Sequence, residues 1–507
     1  MSKSPGTPGL DKINAKQAAI MLAVILASIM TGYYTRLVQT ALPDLRGIWG
    51  LSVDEGAVLN TLVVAPQMLL APIMPWLATV FGFRPIILPS AIAFIVLTLV
   101  TPFLTGYIPL LVAHALIGLL LGCFMTITVM IVFRNVPPSW WIILLGFYVF
   151  RLVLTINTGV SVSALYTEYL GWQWIYWQSA ILMVFYLLIM YHSLPVGGLQ
   201  LRMLVKADYS GMAMFCLGTT LIYVAFDQGE HLGWFDSGFI VACLGGGLLM
   251  MAQFCFHEKK AANPWASPTV MTGRNVMACF IIISIYGFLV TANAMLITQF
   301  LGTIQALKPL QTGKALVLIA ISQVAIIPPA IYATKRIDPR LVCAFGFLML
   351  ALACHQGTLV TSDWAAWDFV PMGIFFALGL PFVFLAIMAL TIANFDKDKN
   401  PSILAYIQIG RLVVPAMAGA IISVFLRWRK DTHNIFLGEN LTYDNRYVTQ
   451  FIDSADGGLE ALTSLIQTES FVLAFQDTFA LCFWVAAAGL ALLVFTKPSP
   501  PTPICRV

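Results

Sequence analysis

An all-α integral membrane protein of about 14 spans is what this sequence predicts, on three observations. Of its 507 residues, 60% are hydrophobic and only 10% charged, with a mean hydropathy of +0.88. A soluble chain would carry about 25% charged residues. Apolar runs of about 20 residues, the length that crosses a bilayer as a helix, recur from end to end. The cations are also unevenly spread. With the amino terminus placed in the cytoplasm, 17 of the 27 Lys and Arg fall in inside segments, seven outside and three within spans. That bias puts both termini inside and fits an even number of spans.

The spans begin near residues 17, 55, 84, 108, 139, 173, 208, 237, 275, 313, 341, 368, 402 and 473. The first, from Gln17, is too long for a signal-peptide core and lacks a cleavage site, so it reads as a retained helix. Most loops are short. Residues 258–274 and 427–472 are longer, and the second, polar and placed outside, precedes the last span. The tail TKPSPPTPICRV is Pro-rich and reads as disordered. Nine cysteines lie in apolar segments or the tail, as small packing residues.

An internal repeat relates the two ends. RLVLTINTGVSVS runs from Arg151 to Ser163, and RLVVPAMAGAIIS from Arg411 to Ser423. The Arg-Leu-Val triplet, a Gly eight residues later and a Ser four after that all match, at an offset of 260 residues. Gln39 meets Gln299 at the same offset. The division that follows is a tail over 1–16, a six-span half over 17–200, an inserted pair over 201–260, a second half over 275–496 and a tail over 497–507. Repeated halves with a site at their interface are typical of secondary transporters.

Local stretches then resemble one family along nearly the whole chain. ALPDL, from Ala41, is like the end of the first-helix motif of the major facilitator superfamily. PWLATVFGFRP, from Pro75, resembles its motif after the second helix. GWQWIYW, from Gly171, resembles its sixth-helix opening. DYSGMAMFCLGTTLIYVAFDQGEHLGWFDS, from Asp208, looks like the inserted pair of its 14-helix drug:proton antiporter group. Arg274-Asn275 and THNIFLGENLT, from Thr432, fit the ninth helix and the stretch after the thirteenth. The resemblance implies two six-helix halves plus two inserted helices, alternating access, no cofactor and residence in the cytoplasmic membrane.

The departures are informative. In the second-helix motif Thr79 stands for an Asp and Val80 for an Arg, while Leu77, Ala78, Gly82 and Arg84 hold. Gly82 and Arg84 are therefore the candidate conformational latch, built differently from the family's charge pairs. His114 takes the place of a fourth-helix Arg linked to proton movement, and is the candidate for proton coupling. Gly159 to Ala164 no longer match the antiporter motif tied to export. Tyr34 and Arg36 occupy the acidic stretch of the first-helix motif, and Gln39 replaces its Asn.

Charge placement supplies the cargo class. Arg151 lies about 18 Å into its span, Arg411 about 14 Å, and Arg36 about 10 Å from the outer end of its own. An arginine at mid-bilayer costs roughly 2.5–3.5 kcal/mol on insertion scales. The acids fall at span ends, Asp227 among them, or in loops and tails. Three cations without an anion make a cavity electropositive. A guanidinium suits a carboxylate or phosphate.

Arg36, Gln39, Arg151, Asn157, Gln299 and Arg411 are the candidate binding residues. Against that, Arg36 could snorkel to headgroups, Arg411 could bond helix carbonyls, and the amides could be interhelical glue. The expected function is efflux of small amphiphilic compounds, anionic or zwitterionic, or drugs. The expected partners are that solute, the lipid bilayer and, as an open option, a periplasmic adaptor protein; nucleic acid is not one. Import of an organic or siderophore-like anion and a non-transporting receptor stay open. No nucleophile–base spacing, phosphate loop or metal constellation points to an enzyme.

Overall fold

The computed structural model describes residues 13–496 except 196–198, 201, 262, 394–404, 440, 443 and 455–457. Residues 1–12 of the amino-terminal tail, and the whole carboxyl tail expected to be disordered, lie outside the described residues. Among these, thirteen helices are long and apolar enough to cross a membrane, and a pair bent by 51° makes a fourteenth. They are α1 (Ala15–Trp49), α2 (Val53–Leu70 with Met74–Phe81), α3 (Arg84–Phe103), α4 (Tyr107–Asn135), α5 (Pro138–Leu170), α6 (Trp174–Ser193), α7 (Tyr209–Gln228) and α8 (Gly238–Lys260). The second half holds α9 (Arg274–Thr303), α10 (Pro309–Arg336), α11 (Pro339–Gly357), α12 (Val370–Ala393), α13 (Ala405–Glu439) and α14 (Leu459–Phe495). All but the last begin within four residues of the position that hydropathy assigns.

Local chemistry sets the ends. Ser52 and Glu55 cap α2 reciprocally, at 2.8 and 3.2 Å. Gly50, at φ 64°, takes the left-handed turn that closes α1. Asp208 accepts from the Gly211 amide at 3.0 Å, so the Asp-x-x-Gly stretch is a helix cap. The bend in α2 falls between Leu70 and Met74, where Pro72 and Pro75 remove backbone donors.

Each half has its own apolar core, one built mainly from α1–α6 and the other from α9–α14. Small residues let backbones meet. A Cβ at Gly118 of α4 would come within 2.6 Å of the Leu62 carbonyl oxygen, and one at Gly122 within 2.7 Å of that of Gln67. The halves join differently on their two flanks. On one, α5 packs directly on α10, with Gly146 against Ile331 and Ser161 against Gly313. On the other, the inserted helix α7 stands between α2 and α13 and touches both.

One expectation needs correction. The loop expected over 427–472 is helical at both ends, since α13 runs on to Glu439 and α14 begins at Leu459. Polar residues continue these helices past the apolar region because they pair with each other. Asp477 accepts from Arg429 Nε and contacts His433 Nε2, both at 2.6 Å. Arg427 binds Glu230, just beyond α7, at 2.8 Å.

Candidate functional site

A cavity of about 1220 Å³ lies between the halves. Each wall is one helical stripe. On α1 it is Thr31, Gly32, Thr35, Arg36 and Gln39; on α5 it is Leu145, Tyr148, Arg151, Leu152, Thr155 and Ile156. The three- and four-residue spacing is that of a single helix face. The wall is mostly apolar, as ligand sites are. Tyr148 stacks on Phe384 at 5.9 Å and Tyr286 lies 5.7 Å from the same ring, giving an aromatic floor.

The three intramembrane arginines all reach this cavity. Arg151 is 3% exposed, and its guanidinium sits 4.5 Å above the Tyr148 ring. Arg411 lies in a π-helical turn, Ile409–Val413, and donates to Gln408 Oε1 at 3.1 Å. Gln408 donates in turn to Thr126 of α4 at 3.2 Å, across the halves. Arg36 does not snorkel. Its Nη2 donates to the Ala294 carbonyl of α9 at 3.2 Å, again across the halves. A buried N–H of each lacks a protein partner, at Arg36 Nε, Arg151 Nε and Arg411 Nη2. Among the described residues none of the three is paired with a carboxylate.

The other candidates divide. Gln39 lines the cavity, but Asn157 and Gln299 do not. Asn157 sits about 100° around α5 from Ile156. It is buried and donates to the Val153 carbonyl at 2.9 Å. Gln299 is likewise one residue past the lining Thr298, with its buried Oε1 unpartnered. His114 is fully buried inside the first half and off the cavity wall. Its Nδ1 lies 2.8 Å from the Leu110 carbonyl and its Nε2 3.0 Å from the Tyr176 hydroxyl, so both ring nitrogens are occupied by packing contacts.

Around the latch candidates, Gly82 takes φ 82°, which a side chain would strain. Arg84 lies 4.9 Å from the Tyr191 ring centroid. The polar contact there is Arg134 Nη2 donating to Thr79 Oγ1 at 2.8 Å, between α4 and α2 of the same half. A neutral hydroxyl thus stands where the family motif has a charge.

Sequence reasoning missed the acids of the wall. Asp227 and Glu230, with His231, line the cavity where α7 meets the face opposite the termini. The cavity is therefore bipolar rather than purely cationic. Hydropathy places Asp227 at a helix end; only the wedged position of α7 turns it inward. Tyr148, beside Arg151, carries no signal in the sequence that separates it from other span aromatics. Among the described residues no cluster of His, Cys, Asp and Glu could hold a metal ion.

No family-level sequence profile matches the chain. It is 20% identical over 495 residues to the probable multidrug resistance protein EmrY of Escherichia coli strain K12, covering 94% of this chain and 95% of that one. The multidrug export protein EmrB of the same strain is also 20% identical, with 96% of each covered. The fatty acid resistance protein FarB of Neisseria gonorrhoeae is 20% identical over 84% of both. Among solved structures, the human organic anion transporter MFSD10 superposes with a TM-score of 0.57 at 12% identity, covering 93% of this chain and 99% of that one.

Proposed function

We propose that this major facilitator superfamily transporter exports small amphiphilic compounds bearing an anionic or zwitterionic group, by alternating access between its two halves. The observation that carries the cargo class is the set of three arginines lining one cavity from three helices, each with a buried N–H lacking a protein partner. An anionic headgroup would meet those donors, with the Tyr148–Phe384–Tyr286 floor under its apolar part. The names of FarB and MFSD10, a fatty acid resistance protein and an organic anion transporter, support that class. The Lys and Arg bias supports cytoplasmic termini in the cytoplasmic membrane. Export is favoured because the relatives named are resistance and export proteins. For an anion, the membrane potential adds about 2.3 kcal/mol per charge per 100 mV to exit.

The test is solute counterflow in proteoliposomes of the full chain. Anilinonaphthalene sulfonate, a permanently charged anion, is compared with tetraphenylphosphonium, a lipophilic cation. The anion is expected to exchange at least about tenfold faster, a difference of about 1.4 kcal/mol. Faster exchange of the cation would overturn the anionic reading.

A further inference from the structure

Only two carboxylates line the cavity among the described residues, and they differ. Glu230 is engaged by Arg427 of α13 at 2.8 Å. Asp227, on the last turn of α7, has no ion-paired Lys or Arg among the described residues. Its partners are hydroxyls. Oδ2 accepts from Thr61 Oγ1 of α2 at 2.5 Å, and Oδ1 from Tyr223 at 3.3 Å. The Gln228 amide also donates to Thr61 Oγ1, and that hydroxyl lies 3.0 Å from the Ala57 carbonyl as well.

This arrangement is satisfied in two proton states. A threonine hydroxyl has one hydrogen and two acceptor sites. With Asp227 ionised, Thr61 donates to it. With Asp227 protonated, its own O–H donates to Thr61 Oγ1, and the Thr61 hydrogen turns to Ala57. Gln228 donates to Thr61 in both. No heavy atom has to move, and no buried polar group is stranded by either state. The groups around it bias neither state by direct pairing. On α7 it is Tyr223, and in the turn just beyond it Glu230 and His231. From α2 only Thr61 stands at that level, with Asp54 and Glu55 about two turns further out. From α13 come Arg427, committed to Glu230, and Arg411 on the cavity wall; α8 offers the Cys243 thiol and apolar side chains.

The geometry points to Asp227 as the carboxyl that carries the coupling proton of export, on the inserted helix rather than in either half. The inference rests on the export reading above. A proton from water on the face opposite the termini binds an Asp227 oxygen, with His231 as the neighbouring polar group on the wall. It leaves to cavity water when the cavity faces the side of the termini. One proton enters per cargo molecule expelled, and no other bond changes. Coupling to the halves is built in, because Asp227 is tied to α2 through Thr61 while Glu230 is tied to α13 through Arg427.

Full-length chain in proteoliposomes tests this with anilinonaphthalene sulfonate as the probe. Asp227→Asn is expected to lose pH-gradient-driven movement at least about tenfold more than it loses counterflow at equal pH. Asp227→Glu is expected to restore part of the driven movement. Driven movement that survives in Asp227→Asn overturns the assignment. So does loss of counterflow and driven movement together without rescue by Asp227→Glu, which would mark a cargo contact or a structural role. A second measurement uses the unaltered protein. A hydrophobic carbodiimide should label Asp227 at acidic pH and not at alkaline pH, read by peptide mass mapping; no label at Asp227 overturns the proposal even if a variant fails to fold. If wild type moves neither probe, the export reading falls, and the labelling still decides the proton site.

Discussion

Arg151 and Arg411 open the same Arg-Leu-Val triplet 260 residues apart, yet the structure holds them in opposite ways. Arg151 stands in regular helix, almost wholly buried, over the Tyr148 ring and backed by Gly32 of α1. Arg411 stands in a π turn, half-buried, and is held by an amide that itself reaches Thr126 in the other half. A π turn takes one more residue than an α turn, so it re-aims the side chains it carries. The repeat has thus kept a cation on each wall and made them unequal. Arg151 is a guanidinium seated by packing, with nothing anionic to satisfy it. Arg411 is a cation whose position depends on how close the halves are.

The comparison breaks most sharply at Arg151. Arg151→Gln removes the charge from a site that offers no other cation at that depth on α5. A hydrogen bond to a charged group is worth about 1.5–3 kcal/mol, so counterflow of the anion should fall about 10- to 100-fold. Arg151→Lys should recover only part, because an ammonium lacks the planar fork of donors that sits over Tyr148. Equal anion rates in Arg151→Gln and wild type, at equal protein in the membrane, would remove Arg151 from the site. Arg411→Gln should cost less, about tenfold, since Gln408 already holds one of its donors.

Gly32 offers a way to disturb Arg151 without touching its charge. A Cβ there would stand 2.8 Å from Arg151 Nη1 and 2.9 Å from its Cδ. Gly32→Ala must therefore push the guanidinium aside, and a several-fold loss of anion counterflow is expected. Gly410, beside Arg411 in the π turn, is the control. Its nearest neighbour to an added Cβ is Ile283 Cγ2 at 3.3 Å, the end of a side chain that can give. Gly410→Ala should change transport little. If both substitutions cost the same, the two arginines are seated alike and the contrast fails.

What could be read without coordinates follows from which forces are local. Hydropathy is local, so thirteen spans begin where expected. Charge in a bilayer is rare enough to flag Arg36, Arg151 and Arg411 by itself. Which face of a helix meets the cavity is not local. Asn157 and Gln299 each sit one residue, about 100°, off their stripes. His114 fills its hydrogen bonds with Leu110 and Tyr176 because α4 turns that face to α6, a fact of packing. Asp227 depends on α7 standing between α2 and α13, which no property of its own segment encodes. The helical ends of the 427–472 segment were hidden because their support, Arg429 and His433 on Asp477, spans a gap of more than forty residues.

The smallest effect separates seat from reporter. Gln408→Ala frees Arg411 Nη1 and cuts the link to Thr126, while leaving every charge in place. A net hydrogen bond contributes about 0.5–1.5 kcal/mol, so a change of about two- to tenfold is the most it can make. Because that bond joins α13 to α4, its loss acts on how readily the halves separate rather than on how the anion is held. The maximal rate of anion transport should shift by about threefold, with the half-saturating concentration constant within about twofold. A rise in the half-saturating concentration with an unchanged maximal rate would mean that Gln408 holds Arg411 for the cargo, and that Arg411 is a seat like Arg151.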